Sequence, residues 1–380
     1  MDGSINTDLK YLSAILSPYS SKVALDQSVN WEKQIELARQ HRISPLLSRQ
    51  IAANKLQIPP GSQEKLKEQQ KATHLKMLTL SRELVLVSQQ FELQNIKFIN
   101  LKGPVQSLQI FGDVAVKHSR DLDLLIEEDK VENCIEVLQS MGYETPSFYL
   151  SLNPKQKHYF LKTQNQLLFF QSERKVQIEI HWRLFANQKL LHFPFEELWK
   201  KSETVSLAGT QLKGLSQLYM CLYLSTHGAK HQWSTLYWLA ELVYLIKNMP
   251  FNITEIHLEA KRYGVERPFL QFVGLAQLLF KMKVPDPIEA LLSKNSQARL
   301  MNLALKRLQD NTSSFKNKKV STYAISSSYR MKLKKGLWYK LGAINLISIN
   351  DFQLLKLPAS LFFLYYPLRP FLWVKRYLLK

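Results

Sequence analysis

The sequence predicts an α+β fold, with a small mixed β-sheet core embedded in a mostly helical protein. Three observations lead there. Apolar residues recur at helical spacing up to about residue 95 and again from 196 onward. Between those stretches, short apolar runs take the two-residue period of strands. Gly, Pro and polar clusters separate the runs at positions suited to turns and helix ends. The chain has 380 residues, 46% hydrophobic and 11% aromatic, which is ample for packed cores and too apolar for wholesale disorder.

The elements follow in order. Residues 31–55, "WEKQIELARQHRISPLLSRQIAANK", place Ile35, Leu37, Ala38, Ile43, Leu46 and Leu47 at helical spacing, and residues 62–95 form a long helical stretch free of Gly and Pro. "IKFINL" (Ile96–Leu101) reads as a strand. Gly103 then turns the chain, Pro104 suits the first turn of a helix, and Gly112 can stop that helix. Leu122–Ile126 is the next strand, followed by an amphipathic helix with Val131, Ile135 and Leu138 on one side and Gly142 at its end. "QLLFFQ" and "KVQIEIHWRLF" make a hairpin turning at Ser172–Lys175. The expected organisation is a helical region at 1–95, an α/β core at 96–195, a helical domain at 196–310 and a basic, aromatic-rich tail at 311–380, with a linker over 310–319.

Cys134 and Cys221 each fall within an apolar helical pattern, which fits neither a disulfide framework nor a cysteine-rich zinc site. Acids precede the first short apolar stretch, unlike a signal peptide, so the expected location is cytoplasmic. The net charge is +20, and residues 311–380 carry 13 Lys/Arg against one acid, Asp351, so +12 of it lies there. Such a tail suits phosphate, nucleic acid or anionic lipid. Its longest uncharged apolar run, Leu357–Leu368, has 12 residues, whereas a spanning helix needs roughly 20. Peripheral contact with an anionic inner membrane surface therefore stays open. The tail aromatics Trp338, Tyr339, Phe362, Phe363, Tyr365, Tyr366 and Trp373 are expected to pack against the helical domain.

Asp121 and Asp123 stand at the entrance of the second strand, two residues apart, so they point the same way. Two carboxylates held that close repel, and a cation resolves the conflict. In "KVQIEIHWRLF", alternation buries Val176, Ile178, Ile180 and Trp182 and leaves Gln177, Glu179 and His181 on the other face. If the two strands are neighbours with these faces aligned, three carboxylates converge into an oxygen site of the kind Mg²⁺ or Mn²⁺ takes beside substrate phosphates. On this reading Asp123→Asn leaves stability unchanged or raised, since it relieves a like-charge pair.

The segments Leu101-Lys102-Gly103, Asp121–Leu125, Gly142-Tyr143 and "EIHWR" (Glu179–Arg183), in that order, resemble the uncharacterised nucleotidyltransferase family of the DNA polymerase β superfamily. "HGAKHQWSTLYWLAEL" (His227–Leu242) and "YYPLRP" (Tyr365–Pro370) resemble its downstream segments, so the resemblance runs from about residue 80. It implies transfer of an NMP from an NTP to an acceptor hydroxyl, with release of pyrophosphate. It also implies metal at Asp121, Asp123 and Glu179, and nucleotide phosphates near Lys102, Gly103, Lys117 and Arg120. The chain departs from the superfamily in having Pro104 after Gly103, which removes one backbone N–H donor from the phosphate turn.

His181, His227 and His231 are candidate substrate contacts. The i, i+4 pair His227 and His231 would suit zinc, but "HGAKH" lacks the metalloprotease glutamate and a third ligand. The expected partners are an NTP and an acceptor (small molecule, peptide or protein), with RNA less favoured because no RNA-binding signature is present. The alternatives are an RNA-modifying enzyme or a nonenzymatic partner-binding protein on the same fold.

Overall fold

A computed structural model describes residues 5–19, 29–310, 328–344, 347 and 349–377. Apart from Asp310, the expected linker lies outside the described residues. Four helices lead the chain: Thr7–Leu16, Trp31–Gln40, Ser44–Ala53 and the 34-residue Pro60–Leu93. Asn6 and Asn30 cap the first two, each side-chain oxygen accepting a backbone N–H of the first turn.

Six strands form one mixed sheet: β1 (Phe98–Asn100), β2 (Leu122–Ile126), β3 (Gln166–Gln171), β4 (Val176–His181), β5 (Glu203–Leu207) and β6 (Thr210–Gly214), in the order β3-β4-β2-β1-β6-β5. β2 runs parallel to β4 and β1 parallel to β6; the other neighbours are antiparallel. The first four strands and the β3–β4 hairpin stand where the periodicity places them. The hairpin β5–β6 corrects the reading that the chain is helical from 196 onward. Val205, Leu207 and Leu212 do alternate with polar residues around a turn at Ala208-Gly209, where φ is +50° and +83°. This is an edge hairpin, largely open to solvent, so its alternation is weakly apolar.

The two faces of the sheet meet different cores. Leu122, Leu124, Ile126, Ile178 and Ile180 pack with Leu80, Leu84 and Val87 of the long helix and with Ile135 and Leu138 of the Val131–Ser140 helix. On the other face Ile99, Leu101 and Leu125 join a second core. There the first three helices pack with the helices Gln217–Lys230, Leu236–Asn248 and Glu266–Phe280. Gly228 is needed in that second core, because a Cβ there would fall 2.3 Å from the ring of buried Trp233.

Of the tail aromatics expected to pack, Tyr339, Phe362 and Tyr365 are buried in the cores, whereas Trp338, Phe363 and Tyr366 are exposed. Tyr339 joins the helical core, as expected, but on the sheet side Phe352 packs on Phe160, and Phe362 and Tyr365 pack on Phe352. Two backbone carbonyls of this segment, at Ile347 and Leu357, accept from Gln164 and Gln156. These sheet-side aromatics are therefore held against the Pro154–Thr163 helix, not the helical domain. The side chain of Trp373 lies outside the described residues.

His41 ties the N-terminal helices to the first turn of Leu236–Asn248, its Nδ1 accepting the Leu236 N–H at 3.2 Å. The ring is fully buried, and burial lowers its pKa to about 4. Between the unfolded value of 6.5 and the folded value of about 4 the unfolded chain binds a proton that the folded chain refuses. The stability His41 contributes is thus intact above 6.5 and is lost as pH falls toward 4. His41→Asn keeps an acceptor without the titration. Denaturant unfolding at pH 7 and pH 5 should show the wild type losing about 2 kcal/mol more than this variant.

Candidate active site

The β2–β4 register brings the carboxylates together. Asp123 is directly opposite Glu179, and Leu125 opposite His181, across two parallel strands. Both strands turn their branched aliphatic residues to the sheet-side core, so Asp123, Glu179 and His181 share the other face. That face floors a cleft of about 400 Å³. Tyr223, His227 and Lys230 of the Gln217–Lys230 helix wall it, with His231, Tyr237 and Trp238 beyond.

Asp123 is buried, and Lys102 and His181 compensate it. Lys102 Nζ lies 2.9 Å and His181 Nε2 3.1 Å from its Oδ1. Burial alone would push the Asp123 carboxyl up, but Lys102 and the His181 hydrogen bond hold it well below the usual carboxylate range. Burial likewise opposes charge on Lys102 and His181, and Asp123 overcomes it, so both stand above their ordinary values. Glu179 Oε2 accepts from Gln166 at 2.6 Å and lies 3.3 Å from His181 Nε2. Asp121, at the mouth, is raised to about 6 by burial and then by the charges of Asp123 and Glu179. One donor atom from each of Asp123, Glu179 and His181 falls within 4.8 Å of the others, a set that could hold a metal ion. Of the expected set, Asp123 and Glu179 fall in this cluster with His181, and Asp121 lines the same cleft.

The remaining expected residues separate. Lys102 and Arg120 line the cleft, whereas Gly103 and Lys117 do not. Gly103, at φ +88°, is buried against Leu122 and the Asp121 carbonyl and starts the Pro104–Phe111 helix. Lys117 is fully buried, its Nζ 2.7 Å from Glu241 Oε1, hydrogen-bonded to Gln106 and over the Tyr237 ring at 5.3 Å. A lysine so enclosed reaches no phosphate in the cleft; it fastens the β2 approach to the Leu236–Asn248 helix. His227 and His231 pack ring to ring at 4.6 Å, with Trp238 at 5.7 and 5.3 Å. Burial, then neighbouring cations, holds both imidazoles well below their ordinary pKa, so they are neutral. Among the described residues they belong to no cluster of three metal-ligating groups.

Sequence reasoning missed several lining residues. Arg42 reaches the cleft from the turn between the second and third helices, at φ +59°, and no local pattern marks it. Gln166 was within reach: pairing the hairpin back from its turn sets Gln166 opposite His181. Tyr223 and Lys230 flank His227 at helical spacing and share its face. Burial first, then Arg330 and Lys102, lowers Lys230 to about 8. The lining thus holds four cations, Arg42, Lys102, Arg120 and Lys230, around Asp121, Asp123 and Glu179.

Carboxylates at the floor of a cleft lined by cations form a site suited to a metal-bound phosphate substrate. The chain belongs to the uncharacterised nucleotidyltransferase family, whose model matches residues 27–281. That match begins in the N-terminal helices, well before residue 80, and Tyr365–Pro370 lies outside it. No curated protein and no solved structure matches the chain.

The pairing of Asp123 changes the expectation for its removal. Asp123→Asn removes the counter-charge of Lys102, which is partly buried, and the carboxylate partner of buried His181, which should cost about 3 kcal/mol. Chemical denaturation should show Asp123→Asn destabilised and Lys102→Met partly restoring it, with a coupling of about 2 kcal/mol in the double-mutant cycle. Independent, additive losses would show that the pair does not hold the strands.

Proposed function

We propose that the protein transfers an NMP from an NTP to an acceptor hydroxyl of a small molecule, peptide or protein, releasing pyrophosphate. The observation that carries this reading is the alignment of Asp123 with Glu179 on adjacent parallel strands, facing a cation-lined cleft. Asp121, Asp123 and Glu179, with His181 in support, would hold Mg²⁺ or Mn²⁺. The fit rests on their oxygen donors and on the close grouping of Asp123, Glu179 and His181. When bound, the ion supplies Lewis-acid polarisation of the phosphate oxygens.

The chain's own residues do the rest. Arg42, Arg120 and Lys230 attract and orient the triphosphate by charge. Lys102, anchored on Asp123, adds a further cation at the floor of the cleft. The acceptor oxygen attacks the α-phosphorus, its proton passes to Glu179, and the bond to the bridging α–β oxygen breaks as pyrophosphate leaves. Gln166 and His181 fix the Glu179 carboxylate for that role. His227, His231 and Trp238 give the cleft a neutral aromatic wall against which the base or the acceptor can lie.

Incubation with each labelled NTP, Mg²⁺ or Mn²⁺ and cell extract should label an acceptor, and Asp121→Asn and Glu179→Gln should abolish the label. No labelling with any NTP would refute the transfer. Arg120 is exposed and Arg42 half-buried, so Arg120→Ala and Arg42→Ala should leave the melting temperature nearly unchanged. Each should weaken NTP binding about tenfold by calorimetry, the loss of one charge-assisted phosphate contact.

A further inference from the structure

The residues from 328 to 377 expose large apolar side chains in two places, and lysines stand beside both. In the Leu337–Ile344 helix, Tyr339 turns inward while Leu337 is 66% and Trp338 72% exposed. Leu341 is exposed on the same helix, and Lys332, Lys335 and Lys340 are exposed around it. In the Tyr365–Tyr377 helix, Tyr365 and Leu372 face the core. Tyr366, Val374 and Phe371, the last 71% exposed, face outward on the opposite arc. Phe363 just before them is 62% exposed, and Lys356 and Lys375 are exposed nearby in sequence. The one acid of the segment, Asp351, is buried.

A water-facing helix arc made of Tyr, Phe and Val is costly unless something covers it. The chemistry of the patches points to what does. Aromatic rings with flanking lysines match the headgroup level of a bilayer, where the ring is half-apolar and the ammonium meets lipid phosphate. Leu337, Leu341 and Val374 gain from hydrocarbon and offer nothing to a nucleobase, which an RNA surface would need to stack. A second copy of this chain would set one strongly cationic segment against another. No helix of the described residues is long and apolar enough to cross a membrane.

We propose that the exposed sides of the Leu337–Ile344 and Tyr365–Tyr377 helices, with Phe363, dock on an anionic lipid bilayer, their aromatics inserted among the headgroups and the neighbouring lysines on lipid phosphates.

Co-sedimentation of the full chain with phosphatidylcholine vesicles, with and without phosphatidylglycerol, tests this. Binding should require the anionic lipid. Lys335→Gln and Lys340→Gln should each lower the partition coefficient about fivefold. The double change Trp338→Ser and Phe371→Ser should abolish binding while leaving the melting temperature and NTP affinity as in the wild type. No sedimentation with anionic vesicles at low salt overturns the proposal. So does binding that neither set of variants changes, or preferential binding to single-stranded RNA that falls away steeply with salt.

Discussion

The site depends on one buried charge. Asp123 sits on a strand enclosed on both faces, where an unpaired carboxylate would be protonated or expelled. Lys102 from the end of β1 and His181 from the end of β4 make it tenable. Asp123 and His181 come from neighbouring strands and Lys102 from just past the end of the next, so the ion pair also fixes how the strand ends align. Glu179 then takes its place opposite Asp123 by register alone. This arrangement is a compensated charge cluster in the resting protein, and the like-charge conflict that two nearby aspartates suggest falls mainly on Asp121.

Around that floor the chain builds its cleft from distant segments. The Gln217–Lys230 and Leu236–Asn248 helices provide the aromatic and histidine wall, and the turn at Arg42 provides a cation from the N-terminal helices. Two buried links hold these parts to the sheet and to each other: Lys117 with Glu241, and His41 with the Leu236 N–H. Both join elements far apart in sequence, so the cleft geometry depends on the whole helical body, in keeping with a family match that starts at residue 27.

What the sequence made legible was set by local periodicity. Alternation placed Asp121 with Asp123 and Glu179 with His181, and it located β1 to β4 and the hairpin turn. The contacts it could not show are those that tertiary packing decides. Lys117 reads like any strand-end lysine until Glu241 arrives from a helix more than a hundred residues on. Arg42 has no motif, because its role comes only from where the helix turn lands. The pairing of Asp123 with Lys102 needed the β1–β2 register, which spacing alone does not give. β5 and β6 escaped because an exposed edge hairpin carries little apolar contrast.

The central claim is that Asp121, Asp123 and Glu179 form a metal–nucleotide site, and Mn²⁺ titration followed by electron paramagnetic resonance tests it most directly. The free-ion signal should decrease with saturable binding, more tightly when a nonhydrolysable NTP is present, and Glu179→Gln should remove that binding while the variant stays folded. Binding of Mn²⁺ that Glu179→Gln and Asp121→Asn leave untouched, or no binding with or without nucleotide, would contradict the account.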